Sequence, residues 1–377
     1  MKLAKLSLAA IVVAGLATSS FAADTLADAF KNGKVSGALQ GYYFQRDDGT
    51  TDADIFTSGV DLSFETDRYM GFGMKATFQG TNSPFVDRAA KTMFNGDMHG
   101  TGAQLSEMYL SYVTGKTTAL VGRMYLSTPL VASSGSRVTK QAFEGAAVIN
   151  TDIADTTLIA GYVQKFQART DGAGNIGKFE KFNEDGAYTI AAINNSVKDV
   201  TLTVAWADVR SVLSVGYAEA AYATDTFGVA GQYYYNDYDN GTDSNLFGIK
   251  ADATFGPANV FAAYSKVGDK KTDVIPGLGG GADLAYTGSP FNSDSYVADT
   301  KAYILGASYA VMPNANIGAS YTVNKMDATS VENSYLAVEV DYAFEGALQG
   351  LSVYLGYEDQ GKDADGSELR FQANYAF

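Results

Sequence analysis

The stretch that decides the fold is SELRFQANYAF, residues 367–377. Every second position in it is apolar, and Arg370 and other polar residues occupy the positions between. A period of two is typical of a β-strand with one apolar and one polar face. Such a strand would be an aggregation hazard at the edge of a sheet, so it predicts a sheet that closes on itself, with the last strand paired to the first. The apolar set is Leu369, Phe371, Ala373, Tyr375 and Phe377.

The same alternation recurs along the chain from residue 34. Lys75 lies on the polar face of one such segment, and Glu339 and Asp341 lie on the polar face of another. Lipid would exclude these charges, so the polar faces are assigned to a water-filled lumen. Eighteen segments are predicted as strands, and sixteen remains an alternative because those between 212 and 267 are the least regular. The approximate ranges are 34–45, 55–66, 70–81, 104–113, 117–126, 141–150, 155–167, 187–195, 199–209, 212–223, 225–236, 245–255, 258–267, 301–310, 315–326, 333–344, 350–360 and 367–377.

The connectors between these segments alternate in length. Those at 67–69, 114–116 and 256–257 are tight, whereas those at 82–103, 127–140, 168–186 and 268–300 are long and polar. This pattern predicts an all-β fold, a closed antiparallel transmembrane β-barrel with short periplasmic turns and long extracellular loops. The connector 127–140 is expected to fold inward, and 268–300 is a second candidate. A soluble β-sandwich is the alternative, but it would need frequent turns without this alternation.

The first 22 residues have the pattern of a secretory signal peptide. Lys2 and Lys5 precede an apolar run from residue 6 to residue 17, and small residues ending at Ala22 follow it. A transmembrane helix is the alternative, but the run is shorter than the roughly 20 apolar residues that cross a bilayer. The expected organisation is a signal peptide at 1–22, a short periplasmic segment at 23–33 and the barrel at 34–377.

The composition argues against several function classes. The chain has 27 basic and 42 acidic residues, a net charge of -15, which argues against nucleic acid as a partner. It has no cysteine and one histidine, His99, which lies in a polar connector with no catalytic spacing around it. No enzyme activity, cofactor or metal site is therefore predicted. Acidic connectors around Asp48 and Asp239 leave binding of divalent cations open.

One region resembles the OprD-type specific porins. The resemblance is carried by GKTTALVGRMYL at 115–126, Thr-Pro-Leu at 128–130, Ser-Arg at 136–137 and Phe-Glu-Gly-Ala at 143–146, with LSEMYL at 105–110 before them. It implies an eighteen-stranded channel, a monomer or a loose homotrimer, that passes small carboxylate-bearing nutrients. The first residues are also similar to those of major outer-membrane proteins of epsilon-class proteobacteria.

Candidate pore-lining residues follow from the strand faces and from this resemblance. Arg123 matches the family's Gly-Arg position, and Arg370 corresponds to an arginine of the last strand. Both are expected to face inward and to set part of the ion preference, with Lys75 close to them around the barrel. Arg137 is expected on the inward-folding connector.

An opposed acidic wall is expected from Asp252, Glu339 and Asp341. For each charged residue, simple solvation of a water-facing surface is the alternative to a selectivity role. The terminal strand, with Tyr375 and Phe377, resembles the signal read by the barrel-assembly machinery. The expected partners are this machinery, outer-membrane lipid and lipopolysaccharide, and small polar solutes.

Two functions remain open on the sequence. The favoured one is a passive diffusion channel for small hydrophilic solutes and ions in the outer membrane of a Gram-negative bacterium. The alternative is a structural or adhesive barrel whose surface loops are the working face. Conductance across a lipid bilayer distinguishes the two.

Overall fold

Antiparallel β-strands follow one another around a closed sheet. The computed structural model describes residues 23–377 apart from 270–271, 283–284 and 293–294. In that part of the chain eighteen strands close the barrel, and a three-residue strand, β8, pairs with the end of β7. The strands are β1 (Lys34–Asp47), β2 (Asp52–Glu65), β3 (Phe72–Asn82), β4 (Gly102–Thr114), β5 (Thr117–Met124), β6 (Ala142–Asn150), β7 (Thr156–Gln167), β8 (Phe179–Lys181), β9 (Ala187–Asn194), β10 (Val200–Val209), β11 (Leu213–Ala223), β12 (Phe227–Tyr238), β13 (Asp243–Phe255), β14 (Ala258–Val267), β15 (Thr300–Met312), β16 (Ala315–Met326), β17 (Val331–Ala343), β18 (Leu351–Lys362) and β19 (Gly366–Ala376).

The last strand closes the barrel against the first. β19 pairs with β1 from Ser367 opposite Asp47 to Ala376 opposite Ala38. The backbone N–H of Phe377 adds a hydrogen bond to a β1 carbonyl at 3.0 Å. Closure leaves no row of unpaired backbone groups at a sheet edge. The closed antiparallel barrel and its eighteen strands are therefore confirmed, with strand ends within a few residues of those expected from the sequence.

The two ends of the barrel differ in their connectors. The end at which β1 begins has tight connectors such as 115–116 and 256–257, and we call it the turn end. The opposite, loop end has four long connectors, which are the long ones expected from the sequence. Numbered by their order at that end, they are L2 (83–101), L3 (125–141), L4 (168–186) and L7 (268–299).

Two short helices were not expected, α1 (Leu26–Lys31) before β1 and α2 (Arg88–Met93) in L2. Thr25 caps α1 by accepting a hydrogen bond from the backbone of Asp28 at 3.1 Å, a common N-cap arrangement. Six residues are too few to show a helical period in the sequence. Among the described residues, no helix is long and apolar enough to cross a membrane.

The strand register separates an inward face from an outward face. Inward side chains touch loops inside the barrel: Gln79 donates to the carbonyl of Lys140 in L3 at 3.1 Å, and Phe44 packs against Val138 of L3. The alternate positions carry exposed apolar side chains, for example Leu110. Such an apolar outer band is what a lipid-facing wall requires.

The loops L2, L3 and L7 fold into the barrel. Leu130 and Ala132 of L3 are fully buried. The N–H of Leu278 in L7 donates to the carbonyl of Leu130 at 2.8 Å, and the N–H of Ala132 donates to the carbonyl of Leu278 at 3.0 Å. The core of the molecule therefore lies inside the barrel, and the inward folding of L3 and L7 agrees with the expectation from the sequence.

Candidate constriction site

Four of the eight arginines in the chain converge inside the barrel, together with two carboxylates. They come from the neighbouring strands β1 and β19 and from the loops L2, L3 and L4. The group has an excess of two positive charges at neutral pH. We call it the arginine cluster, and its members are Arg46, Asp97, Arg137, Arg169, Glu368 and Arg370.

Asp97 holds three of the arginines. Its carboxylate accepts a hydrogen bond from Nε of Arg137 at 2.5 Å and another from Nη2 of Arg46 at 3.2 Å. Nη1 of Arg169 lies 3.9 Å from its Oδ1. Because Asp97 belongs to L2, Arg137 to L3 and Arg169 to L4, one carboxylate ties three loops together inside the barrel.

Glu368 holds the strand members of the cluster. It lies directly opposite Arg46 across the junction of β19 and β1 and accepts a hydrogen bond from Nε of Arg46 at 2.9 Å. Nε of Arg370 donates to the same carboxylate at 2.6 Å. The pairing that closes the barrel therefore also assembles this half of the cluster.

Aromatic rings cover the guanidinium of Arg370. It lies 3.9 Å from the ring centroid of Phe291 in L7 and 5.2 Å from that of Phe44 on β1. Arg137 approaches the same Phe44 ring at 5.1 Å. Cation–π contacts of this kind attract the guanidinium to the ring face. With Glu368 and two rings around it, Arg370 is held in one orientation.

Asp97 and Arg169, two of the loop members of the cluster, stay ionised at neutral pH. Burial alone would raise the pKa of Asp97, but the charge and hydrogen bond of Arg137 and the charges of Arg169 and Arg46 lower it below its usual range. Burial and the charge of Arg137 lower the pKa of Arg169 to about 10, which is still above physiological pH. The members of the cluster therefore carry more basic than acidic charge at neutral pH.

L3 is fastened to the wall beside the cluster. Nζ of Lys140 forms an ion pair with Asp61 of β2 at 2.7 Å, and its backbone N–H donates to Gln79 of β3 at 2.8 Å. Val138 packs directly on β2 at Gly59, where an added Cβ would lie 2.3 Å from the Cγ1 of that valine. Glycine is required at this close approach.

Two of the predicted site residues, Arg370 and Arg137, are members of the cluster. Lys75 also faces inward, as expected from its strand, because it shares the parity of the buried Thr77 on β3. Its ammonium group forms an ion pair with Glu107 at 2.9 Å. The structure thus places Lys75 in a separate pair rather than in one basic wall with Arg370.

The three predicted acidic residues face inward on strands β13 and β17. Glu339 accepts a hydrogen bond from Oη of Tyr354 at 2.8 Å, and Asp341 lies opposite Tyr354 in the register. Asp252 is six positions from the buried Leu246 on β13, so the two side chains point to the same, inward face. Glu339 and Asp341 lie only two strands from β19, so the expectation that they oppose the basic side chains across the lumen is wrong. Asp252 on β13 lies six strands from β19.

Arg123 lies on the outward face, so the expectation that it lines the lumen is wrong. Its register partner on β4 is Met108, which is 53% exposed on the apolar outer band. Nε of Arg123 donates to Glu144 at 2.9 Å, and its guanidinium lies 4.4 Å from the ring centroid of Phe179. Lys165 binds the same carboxylate at 2.5 Å. β5 has apolar residues at both parities, so polarity alone did not identify its inner face.

The sequence did not single out Arg46, Asp97, Arg169 or Glu368. Two of these could have been found, because Arg46 and Glu368 face each other once the last strand is paired with the first. Asp97 and Arg169 lie in loops, where no periodic pattern indicates which way a side chain points. Their place in the cluster depends on the fold of three loops.

A closed barrel whose lumen is narrowed by inward loops and charged side chains is the architecture of a porin, a passive diffusion channel for small hydrophilic solutes. The long loops of such a barrel are extracellular and its short turns periplasmic. This class of protein accounts for both the apolar outer band and the charged interior.

Comparison with solved structures gives the same fold. The fold is similar to that of Acinetobacter baumannii OccAB1, with a TM-score of 0.80 and 15% identity over 93% of this chain and 97% of that chain. Pseudomonas aeruginosa OccK8 (OprE) gives a TM-score of 0.79 and 14% identity over 93% and 99%. Pseudomonas aeruginosa OpdK, solved with vanillate, gives 0.79 and 17% over 92% and 99%. Curated protein sequences include no significant match.

A family model described as outer membrane porin, OprD family, matches residues 111–376. The chain therefore belongs to the OprD family of outer membrane porins, channels of the Gram-negative outer membrane. The structural or adhesive barrel left open on the sequence is not favoured.

Proposed function

We propose that this porin prefers small anions, above all carboxylate-bearing nutrients, and that the arginine cluster sets this preference. The observation that carries the proposal is the convergence of four arginines on two carboxylates inside the barrel. A guanidinium presents paired N–H donors that match the two oxygens of a carboxylate. OpdK, a structural neighbour solved with the carboxylate vanillate, supports this choice of solute class.

The local charge of the cluster outweighs the net charge of -15 on the whole chain. Carboxylates on solvated loops are screened by salt over a distance of about 8 to 10 Å. A permeating ion passes the cluster at much shorter range, inside a wall surrounded by lipid. A few oriented charges at the constriction therefore affect it more strongly than many charges outside.

We assign Asp252, Glu339 and Asp341 to an acidic wall that faces the path of the solute. Acidic side chains beside the basic cluster would produce a field along this part of the wall and orient a dipolar solute. In this arrangement Lys75, paired with Glu107 at 2.9 Å, adds little free charge.

The proposal is tested by recording single channels in planar lipid bilayers under a gradient of KCl. We expect a reversal potential on the anion-selective side. Benzoate should reduce the chloride current at concentrations at which the uncharged isostere benzamide does not. A cation-selective reversal potential, or equal block by both compounds, would contradict the proposal.

Export and assembly are assigned to the two ends of the sequence. Residues 1–22 lie outside the described part of the chain, and we propose them as the signal peptide, with 23–33 as a periplasmic segment before the barrel. We propose Tyr375 and Phe377 as the signal for the barrel-assembly machinery, because both are exposed on the outward face of the closing strand. The proposed assembly is a monomer or a loose homotrimer in contact with lipopolysaccharide.

Deleting Phe377 tests the assembly signal. We expect less protein in the outer membrane and an unchanged total amount of exported, processed chain. The matched control is the deletion of one residue from the exposed turn at 239–242. Equal surface levels of wild type and the Phe377 deletion would rule out this residue as part of the signal.

A further inference from the structure

Three lysines lie side by side on the outward face at the loop end of the barrel. Lys266 of β14 is directly opposite Lys301 of β15, which is directly opposite Lys325 of β16. The neighbouring positions along β14 and β15 are fully buried inside the barrel, for example Ser265 and Ala302. The lysines therefore point to the outside, and we call them the lysine row.

The lysine row lies at the boundary between the apolar band and the loops. At the next outward position towards the turn end, Tyr264 is opposite Tyr303, with ring centroids 5.0 Å apart. At the position after that, Leu305, which is 65% exposed, is opposite Tyr321. Tyrosines mark the interface between the hydrocarbon and the headgroups in such barrels. The lysine row is therefore at the level of the headgroups of the outer leaflet.

The chain neutralises this row only in part. Like charges directly opposite each other on neighbouring strands destabilise a sheet. Lys301 forms an ion pair with Asp327 at 2.5 Å, and Lys325 forms one with Glu332 at 3.3 Å. Lys266 makes no hydrogen bond or ion pair with any residue of the described part of the chain. A negative partner from outside the chain would relieve the repulsion.

The carboxylates near the row leave its membrane side open. Asp299 and Asp327 lie in the connectors beyond the strand ends, on the loop side. The hydrogen bond from Lys301, and the charges of Lys301, Lys266 and Lys325 together, lower the pKa of Asp327, so one carboxylate is shared among three cations. Glu332, at one end of the row, is also bound by Lys362.

On the far side of the barrel, a second row of three outward-facing charged residues forms ion pairs within itself. Arg123, Glu144 and Lys165 occupy consecutive opposed positions of β5, β6 and β7. Their charges alternate in sign, and Glu144 binds both cations. The lysine row has three charges of one sign at the equivalent place, so its composition is not a general requirement of the wall.

We propose that the lysine row binds the phosphate groups of the outer-leaflet glycolipid, the lipid A part of lipopolysaccharide, and this inference rests on the contact with lipopolysaccharide proposed above. Ammonium groups donate charge-assisted hydrogen bonds to phosphate oxygens. Strands about 4.8 Å apart place three such donors along a line of about 10 Å. Tyr264, Tyr303 and Leu305 provide the apolar surface below them for the acyl chains.

Native mass spectrometry of the full-length mature protein in detergent tests the proposal, with bisphosphorylated lipid A as the probe. We expect wild type to retain the lipid, and the triple variant K266Q/K301Q/K325Q to bind it about tenfold more weakly or worse. The matched control K34Q/K116Q/K198Q removes three lysines at the turn end and should bind as wild type does. The variant K266R/K301R/K325R keeps the charges and should also bind.

Two further measurements identify the ligand chemistry. Removing the phosphates from lipid A should weaken its binding to wild type at least as much as the substitutions K266Q/K301Q/K325Q weaken binding of the phosphorylated lipid. Millimolar inorganic phosphate should not displace the bound lipid A. Heat-modifiable migration on gels establishes that each variant is folded. Wild-type affinity in the glutamine variant, equal binding of both lipids, or a change of oligomeric state without a change in lipid binding would overturn the proposal.

Discussion

Arg370 and Arg123 are held in similar ways on opposite faces of the same wall. Arg370 donates to Glu368 at 2.6 Å and lies 3.9 Å from the ring centroid of Phe291. Arg123 donates to Glu144 at 2.9 Å and lies 4.4 Å from a phenylalanine ring centroid. Arg370 belongs to a positive cluster in the lumen, whereas Arg123 belongs to an alternating row outside. Local contacts therefore show how each arginine is fixed, and the strand register shows what it can act on.

Reversing the charge of Arg370 should have the largest effect. Because aromatic rings cover Arg370, a permeating ion passes at about 8 Å, where one charge contributes about 0.5 kcal/mol even in water, so R370E changes the energies of an anion and of a cation by about 1 kcal/mol each in opposite directions. We expect the anion-over-cation permeability ratio to fall roughly tenfold after screening. Reversal potentials in a KCl gradient measure this ratio.

The control for Arg370 is Arg88, which is exposed in L2 at the first position of α2. R88E makes the same change of net charge away from the arginine cluster and should leave the reversal potential near the wild-type value. If R88E and R370E shift it equally, net charge rather than the cluster sets the preference.

Acidification should strengthen anion selectivity through Asp97. Its pKa in the folded protein is lowered by Arg137, Arg169 and Arg46 against the effect of burial. Because this pKa is lowered, the contact of Asp97 with the arginines stabilises the fold in full above the pKa of the unfolded chain, near 3.9. The stabilisation is lost as the pH falls through the lower pKa of the folded protein. As the pH falls through this lowered pKa, Asp97 is protonated, so the cluster gains one positive charge and loses the tie between three loops.

Reversal potentials recorded from pH 6 down to the lowest pH at which the folded barrel still conducts measure this effect. The anion preference should rise at the acidic end in wild type. The variant D97N should show the higher anion preference already at pH 6. Its anion preference should then lack the rise that protonation of Asp97 produces in wild type. A step of unchanged size in D97N would assign the titration to another carboxylate.

A smaller effect is expected where L3 meets the wall. G59A places a Cβ where Val138 Cγ1 is only 2.3 Å away, so L3 must move and displace Arg137 by a few tenths of an ångström or more. We expect noisier single-channel currents and a modest loss of anion preference. The control G41A adds a Cβ 3.6 Å from Phe56, an ordinary contact, and should conduct as wild type does. Equal behaviour of the two variants would show that L3 does not position the cluster.

The barrel could be predicted from the sequence because each strand repeats one simple pattern. Alternation such as that from Leu369 to Phe377 indicates strands, and the terminal strand needs a partner, which the first strand supplies. Small departures, such as the six-residue helix α2 and the three-residue strand β8, are too short to produce a periodic signal.

The constriction could be predicted only in part. The position of Arg370 follows from regular alternation along β19, and Glu368 has the same parity. Arg123 follows Gly122, whose φ of +130° is outside the range of a regular strand, on a strand where both faces have apolar residues. Asp97 and Arg169 reach the cluster through loops whose paths depend on contacts with one another, which local patterns do not encode.

The smallest functional effect is expected for R123E, the counterpart of R370E on the outer face. Reversal potential and conductance should match wild type, because the register places this side chain with the exposed Met108 and not with the lumen. The variant should still be less stable, since it replaces an ion pair with Glu144 by a repulsion. A partly exposed ion pair contributes about 0.5 to 1 kcal/mol, so the temperature of heat modification on gels should fall by a few degrees at most. Restoring the opposite charge in R123E/E144R should recover part of that loss. If R123E instead shifted the reversal potential as strongly as R370E, the side chain would have to face the lumen, and the register of β4 with β5 described above would be wrong.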